Sequence, residues 1–423
     1  MTDKAADFEV DVLVAGAGAA GLSAAIALNL AGFTVACVGG VDRRAFGRTV
    51  ALFEASLRFY KALGLWPRFR DAAAALEKIT MFDATNARFR APSVSFSAQE
   101  IGLSAFGANI ETDVLVDSLA AIAGESPDLT LLEGLIEDIA FNPDAIEATL
   151  ANGRRVAAKL VVAADGRNSI VRAKAGIGAR TWTYPQVALT VLLAHAKPHR
   201  NISTEFHTRA GPCTLVPLRA RAEKPHRSSL VWLMSAEEAE RRRALAPDAL
   251  AHEVEAQVGG LLGAMELDGP CGYFPMAGMS VARLFGPRIA LIGESAHVFP
   301  PLAAQGLNLS LRDIAALVET LEDARAQGMD IGSTAALKSY GAARRRDISL
   351  RTNGVDILNR SLLMELLPVD LLRGAGLIAF SMIGPLRRAL MREGVLPHGR
   401  LPRLMQPHAR RAPIAAGDAA RAG

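Results

Sequence analysis

Much of what this chain lacks is informative. It has three cysteines, Cys37, Cys213 and Cys271, at no spacing that suits a metal site or a disulfide framework. That pattern argues against metal chemistry and fits a reducing compartment. Aromatic residues make up 5% of the sequence. Nucleic-acid binding would want aromatics interleaved with the basic residues, so it is set aside. No run approaches the roughly 18 to 20 apolar residues that a spanning helix needs. The opening Met-Thr-Asp-Lys-Ala-Ala-Asp-Phe is charged and has no apolar secretory core, which leads to the expectation of a cytoplasmic protein. No Ser-His-Asp or Cys-His arrangement announces a nucleophile. The net charge is +4, and the basic stretches Arg219 to Arg227, Arg241 to Arg243 and Arg344 to Arg346 read first as solvated faces.

What remains is an apolar chain with three glycine-marked turns. Its 423 residues, 50% of them hydrophobic, suffice for a large core and more than one domain. Near the start, Val10-Asp-Val-Leu-Val-Ala runs into Gly16-Ala-Gly18-Ala-Ala-Gly21 and an alanine-rich segment. Placed between strand and helix, that spacing is a dinucleotide fingerprint. The first glycine makes a tight turn, the second admits a pyrophosphate, and the third lets helix and strand pack closely. Midway, Leu160-Val-Val-Ala-Ala leads into Asp165-Gly166, with Ser169 and Arg172 on the helix that follows; alone, this is a favoured turn pair.

Arg288-Ile-Ala-Leu-Ile-Gly293-Glu294 reads as a buried strand ending in a turn, followed by a proline-constrained loop and a helix from about Gln305. Leu307, Leu311, Ile314, Val318 and Leu321 recur at helical spacing, which leaves Arg312, Glu319 and Glu322 in water. The free N–H groups and positive dipole end of such a helix suit a ligand that becomes an anion, as a reduced flavin does.

Taken in this order, the three elements resemble the group A FAD-dependent aromatic monooxygenases. Gly16, Gly18 and Gly21 match the first FAD motif of that group; Asp165-Gly166 and Gly293-Glu294 match the second and third. Within it, Pro301-Leu-Ala-Ala-Gln305-Gly306-Leu-Asn308, the early Arg48-Thr-Val-Ala-Leu and the segment from Tyr340 to Asp347 are similar to the ubiquinone-biosynthesis hydroxylases. The resemblance implies FAD as cofactor, NADH or NADPH as co-substrate, and O2 with a lipidic phenol as the reacting partners. The oxidising power then belongs to the flavin, and the protein excludes water, aims the ring and stabilises charge.

Three positions depart from the family pattern. Gly39 stands where the fingerprint expects an acid for the adenosine ribose, with Asp42 as the nearby substitute. Glu294 replaces the usual aspartate of the third motif, a carboxylate one methylene longer. Ala304 replaces a glycine, which implies a negative φ and a turn already helical there. Gln305, Gly306 and Asn308 are expected near the pyrimidine edge of the flavin, and Pro301 as a wall beside it. His297, with no partner visible in sequence, reads as a structural histidine pinning the loop to the strand, ahead of a general base.

The expected fold class is α/β. A Rossmann-like FAD-binding domain (1–75, 100–180 and 276–345) is interleaved with an antiparallel-sheet substrate domain (76–99 and 181–275). C-terminal helices (346–405) and a disordered tail (406–423) complete the chain. From about Leu362 the C-terminal segment mixes leucine and methionine with Arg373, Arg387, Arg388 and Arg392. Such helices either lie on the inner face of a membrane or pack on their own domain or a second subunit, so peripheral membrane contact and a homodimer are both expectations. Other quinone-biosynthesis proteins are expected partners. Two rival functions remain open: hydroxylation of a small soluble aromatic acid, which would want a cationic carboxylate clamp that nothing in the sequence places although Arg219 and Arg221 lie nearby, and a FAD-binding scaffold of the quinone-biosynthesis assembly without turnover.

Overall fold

The computed structural model describes residues 6–40, 47–85, 93–208, 210–300, 304–363, 384–397 and 399–407. Asp42 and Pro301 lie outside the described residues, as does 364–383 within the C-terminal segment and, from 408 on, the expected tail.

The dinucleotide sheet grows from strand Phe8–Ala15, which pairs in parallel with Val35–Val38 on one side and Arg155–Ala163 on the other. Leu129–Leu132 extends one edge and Ile289–Leu291 the other, both in parallel. These strands are continuous apolar runs, as a parallel sheet buried on both faces requires. Val12, Leu13 and Val14 have no exposed surface, and neither do Val161 and Val162 beside them. Helix Ala19–Leu30 packs on this sheet and against helices Thr112–Glu125 and Gln305–Ala326. An antiparallel hairpin, Ile136–Phe141 with Ile146–Leu150, is added to strand Arg155–Ala163.

The second sheet has nine strands and forms a roof. Its path runs His297–Val298, Gly272–Val281, Ala179–His195, Arg227–Ser235, Gly211–Leu218, Ile202–Thr208, Lys78–Asp83, Val94–Ser97. The 17-residue strand Ala179–His195 shifts register between Thr183 and Val187, the place where Pro185 cannot donate to the ladder. Alternation divides its two faces. Leu189, Val191, Trp232 and Met234 turn outward beneath helix Pro247–Gln257, packed on Leu250 and Val254. Ala188, Leu233 and Val231 turn the other way, toward Val355 and Phe299. One inner face therefore overhangs the dinucleotide domain.

A buried cation ties the roof to the layer below. Arg227, 1% exposed, donates from Nε to Asp268 (2.6 Å) and from Nη1 to Glu111 (2.9 Å), on a strand of the small sheet Thr49–Phe53, Gly107–Glu111, Ala74–Leu76. Five expected boundaries fall inside elements: 75/76 in strand Ala74–Leu76, 99/100 in the short helical turn Ala98–Ile101, 180/181 in strand Ala179–His195, 275/276 in strand Gly272–Val281, and 345/346 in the unbroken helix Thr334–Leu363. Strand His297–Val298, which follows the third glycine motif, belongs to the roof, so the two sheets meet there.

Candidate active site

The chain turns sharply after strand Phe8–Ala15 because Gly16 adopts φ +111°, where a Cβ would stand 2.4 Å from the Ala164 carbonyl oxygen. A Cβ on Gly21 would meet the Gly16 oxygen at 1.7 Å, so this glycine is what lets helix and strand approach. Gly18 is different: nothing lies within 4 Å of its Cβ position. That open space is the cleft itself, about 750 Å³, lined by Gly16 to Gly21, Gly39, Arg48, Asp165, Gly166, Glu294, His297, Phe299 and Gly306. Ten of the thirteen site residues expected from sequence are Gly16, Gly18, Gly21, Arg48, Asp165, Gly166, Gly293, Glu294, Gly306 and Gln305; all but Gly293 and Gln305 line this cleft.

The missing ribose acid has a steric reason. A Cβ at Gly39 would sit 2.5 Å from the Ala17 amide nitrogen, so no acid can occupy that place with this backbone.

The second and third motifs are tied together beneath the cleft. Ser169 caps helix Ile170–Lys174, its Oγ accepting from the Arg172 amide at 2.9 Å. The Arg172 side chain donates to the carbonyls of Ser295 and Arg167, both at 2.9 Å. Asp165 Oδ2 accepts from the Val171 amide, whereas its Oδ1 is buried without a hydrogen-bond partner. An orphaned carboxylate oxygen lining a cleft fits a ligand bearing hydroxyl donors, as FAD does. Glu294 is mostly exposed, with Arg167 3.9 Å away.

His297 gains the partner that sequence does not reveal. Its Nε2 lies 2.7 Å from Oδ2 of Asp313, about two turns into helix Gln305–Ala326, and both side chains are buried. The same Asp313 oxygen accepts from the Gly293 amide at 3.2 Å, and its other oxygen from Arg344 Nε at 2.8 Å. Burial alone would raise the Asp313 carboxyl; the Arg344 and His297 charges outweigh it and hold it below the usual carboxylate range. The loop and helix are thus pinned through one aspartate. Its signal in the sequence is faint: Gly306, Ser310 and Asp313 repeat at helical spacing as a small, polar strip inside an apolar helix.

Five expectations are corrected here. Ala304 adopts φ +48°, a left-handed conformation, instead of an extension of the helix. Its carbonyl accepts from Asn308 Nδ2 at 2.6 Å, a bond that holds the turn. Asn308 does not offer its side chain to a cofactor: Nδ2 also donates to Ala51, and Oδ1 accepts from the Phe53 amide and Ser56. The Gln305 side chain turns away from the cleft, its Oε1 accepting from Arg351 at 3.1 Å. Arg312 is buried, not wet, because Asp347 lies 3.1 Å away. Arg344, expected on a solvated face, is buried for the same kind of reason.

Beyond the cleft, Phe299 connects cofactor space to the roof. It lines the cleft, stacks on His297 at 5.9 Å between centroids, and packs with an apolar cluster of Tyr184, Ala188, Leu233, Met276 and Val355. Arg48 stands over the Phe274 ring of the same cluster at 5.6 Å.

The FAD binding domain family matches residues 9–350. A ubiquinone hydroxylase, UbiL of Rhodospirillum rubrum, is 34% identical over 411 residues, covering 95% of this chain and 94% of that protein. The chain belongs to the FAD-dependent aromatic monooxygenases of the ubiquinone hydroxylase family. Within that family, 3-demethoxyubiquinol 3-hydroxylase of Escherichia coli is 28% identical over 90% of this chain and 97% of its own. The fold is shared with p-nitrophenol 4-monooxygenase PnpA of Pseudomonas putida DLL-E4, with a TM-score of 0.76, 19% identity and coverage of 93% and 99%. FAD is therefore its cofactor, and the enzyme is a flavin monooxygenase.

Proposed function

We propose that this monooxygenase uses NADH or NADPH and O2 to hydroxylate the ring of a polyprenylated phenol on the route to ubiquinone. The observation that carries the substrate class is the apolar cluster beneath the roof, joined to the FAD cleft by Phe299. When bound, FAD would supply the redox chemistry, with two electrons drawn from the nicotinamide, one oxygen atom of O2 going to the ring and the other leaving as water.

The chain's own residues bind, orient and exclude. The helix start at Gly18 offers amide donors and a positive dipole end to the pyrophosphate. Asp165 Oδ1 and Glu294 accept from cofactor hydroxyls. The amides around Gly306, at the start of a 22-residue helix, stabilise negative charge at the edge of the ring system. Phe299, Phe274 and Leu233 keep water from the reacting ring and offer it an aromatic and aliphatic wall.

A small aromatic acid would want a free cation in that wall. Arg221 is committed elsewhere, to Glu111 at 2.9 Å, and neither it nor Arg219 lines the cleft, which favours the lipidic phenol. Delivery from a membrane face is part of the proposal. Among the described residues no helix can cross a membrane. Helix Gly384–Val395, however, exposes Leu386 and Leu390 one turn apart, with Arg388 and Arg392 beside them. Mass-spectrometric profiling of quinone intermediates in a strain lacking this protein tests the reading. An under-hydroxylated polyprenyl phenol should accumulate; an unchanged quinone profile would overturn it.

A further inference from the structure

The three consecutive arginines of helix Thr334–Leu363 point three ways, since successive residues on a helix are about 100° apart. Arg344 is buried against Asp313, while Arg345 edges a cleft of its own, about 570 Å³ in volume. This cleft lies back to back with the FAD cleft: Ala296 lines it, and the next residues, His297 to Phe299, line the other.

Arg180, Arg283, Lys338 and Arg345 all line it, and all four are exposed. None of them makes an ion pair among the described residues, although most of the described arginines do. Asp356 is the one acid among the described lining residues, and its Oδ1 accepts from the Tyr184 hydroxyl at 2.5 Å. Inside the cleft, the Thr352 hydroxyl is buried and has no hydrogen-bond partner. Arg180 lies over the Trp182 ring at 6.0 Å, giving the basic rim an aromatic side. A concave surface lined by one sign of charge focuses its field on a counter-ion, and an unsatisfied buried hydroxyl calls for a polar partner.

We propose that this cleft is a second ligand site, for an anion that carries a phosphate or diphosphate group. Two sources present that chemistry: the diphosphate of the nicotinamide dinucleotide and the headgroup of an anionic phospholipid. The first source rests on the proposed function; the anion chemistry itself does not.

The test is calorimetric titration of the FAD-loaded protein with inorganic pyrophosphate, the bound FAD keeping its own cleft filled. Saturable binding is expected. It should weaken at least about tenfold in Arg345→Glu and in Lys338→Glu, where attraction becomes repulsion. Thr352→Val, which removes the orphan hydroxyl, should weaken it a few-fold. Arg243→Glu, outside the cleft, should leave it unchanged. Displacement of pyrophosphate by ADP-ribose assigns the dinucleotide as source, displacement by short-chain phosphatidylglycerol assigns the lipid, and displacement by neither leaves free phosphate as the ligand. Absence of saturable binding, or equal binding in all variants with FAD retained, would overturn the proposal. Pyrophosphate binding involves no turnover, so its failure is distinct from failure of the hydroxylase reading.

Discussion

His297 and Asp313 meet at 2.7 Å in the wall between the glycine-lined cleft and the protein interior, and Arg344 closes the cluster from the far side. Removing one member of such a buried set leaves the others uncompensated. Asp313→Asn should therefore cost about 3 to 5 kcal/mol of stability, since the buried Arg344 loses one of its two acids and keeps only Asp347, at 2.8 Å. Thermal unfolding of the purified protein reads this directly. A melting temperature within a degree of the parent would mean that Asp347 alone compensates Arg344.

The three glycines of the first motif should separate by phenotype. Gly18→Val projects a branched side chain into open cleft, so FAD retention should be lost while the far-UV spectrum and melting remain close to those of the apoprotein parent. Gly21→Ala, whose Cβ would collide with the Gly16 oxygen, should lower stability itself. Full FAD occupancy in the Gly18 variant would contradict the placement of the pyrophosphate.

Glu294 lines the cleft with a largely solvated carboxylate. If it accepts a hydroxyl of FAD, Glu294→Gln keeps the shape and loses a charge-assisted bond worth about 1 to 3 kcal/mol. The FAD dissociation constant should rise about tenfold with the fold intact. An unchanged constant would show that Glu294 points past the cofactor.

Acid should weaken the roof through His195. Burial, with His199 and His226 nearby, pushes its imidazole down to about 4 from the ordinary 6.5. Its Nδ1 donates to the Lys197 carbonyl at 2.8 Å, and Nε2 accepts from the Ser228 hydroxyl at 3.0 Å. Between those two pH values the unfolded chain binds a proton that the folded chain refuses, so stability falls as pH drops from about 6.5 toward 4. Melting temperature against pH should be flatter over that window in His195→Gln. Parallel curves for parent and variant would remove His195 as the cause.

Local pattern carried the order of the elements, and distance in sequence hid their connections. The strand and glycine spacing from Val10 to Gly21, and the strands ending at Asp165 and Gly293, follow from period and turn chemistry that any short window contains. Asp313 is only faintly marked in the sequence, and not as the anchor of His297, because the pairing depends on how a loop folds back over a helix. Asn308 illustrates the opposite error: its position beside the glycines suggested ligand contact, yet its amide links Ala51, Phe53, Ser56 and Ala304. At Ala304 the residue type favoured negative φ, and the Asn308 bond to its carbonyl accompanies the opposite sign. Gly39 could be read as a departure but not explained, since the obstacle, Ala17, comes from another turn.

The hydroxylase account is tested most directly by isotope. Purified holoprotein should be incubated with NADH or NADPH, a polyprenylated phenol and 18O2, and the product weighed by mass spectrometry. The account predicts a ring-hydroxylated product carrying one 18O atom, formed in step with nicotinamide oxidation. Nicotinamide oxidation with no labelled product, or no oxidation at all by the FAD-loaded protein, would contradict it.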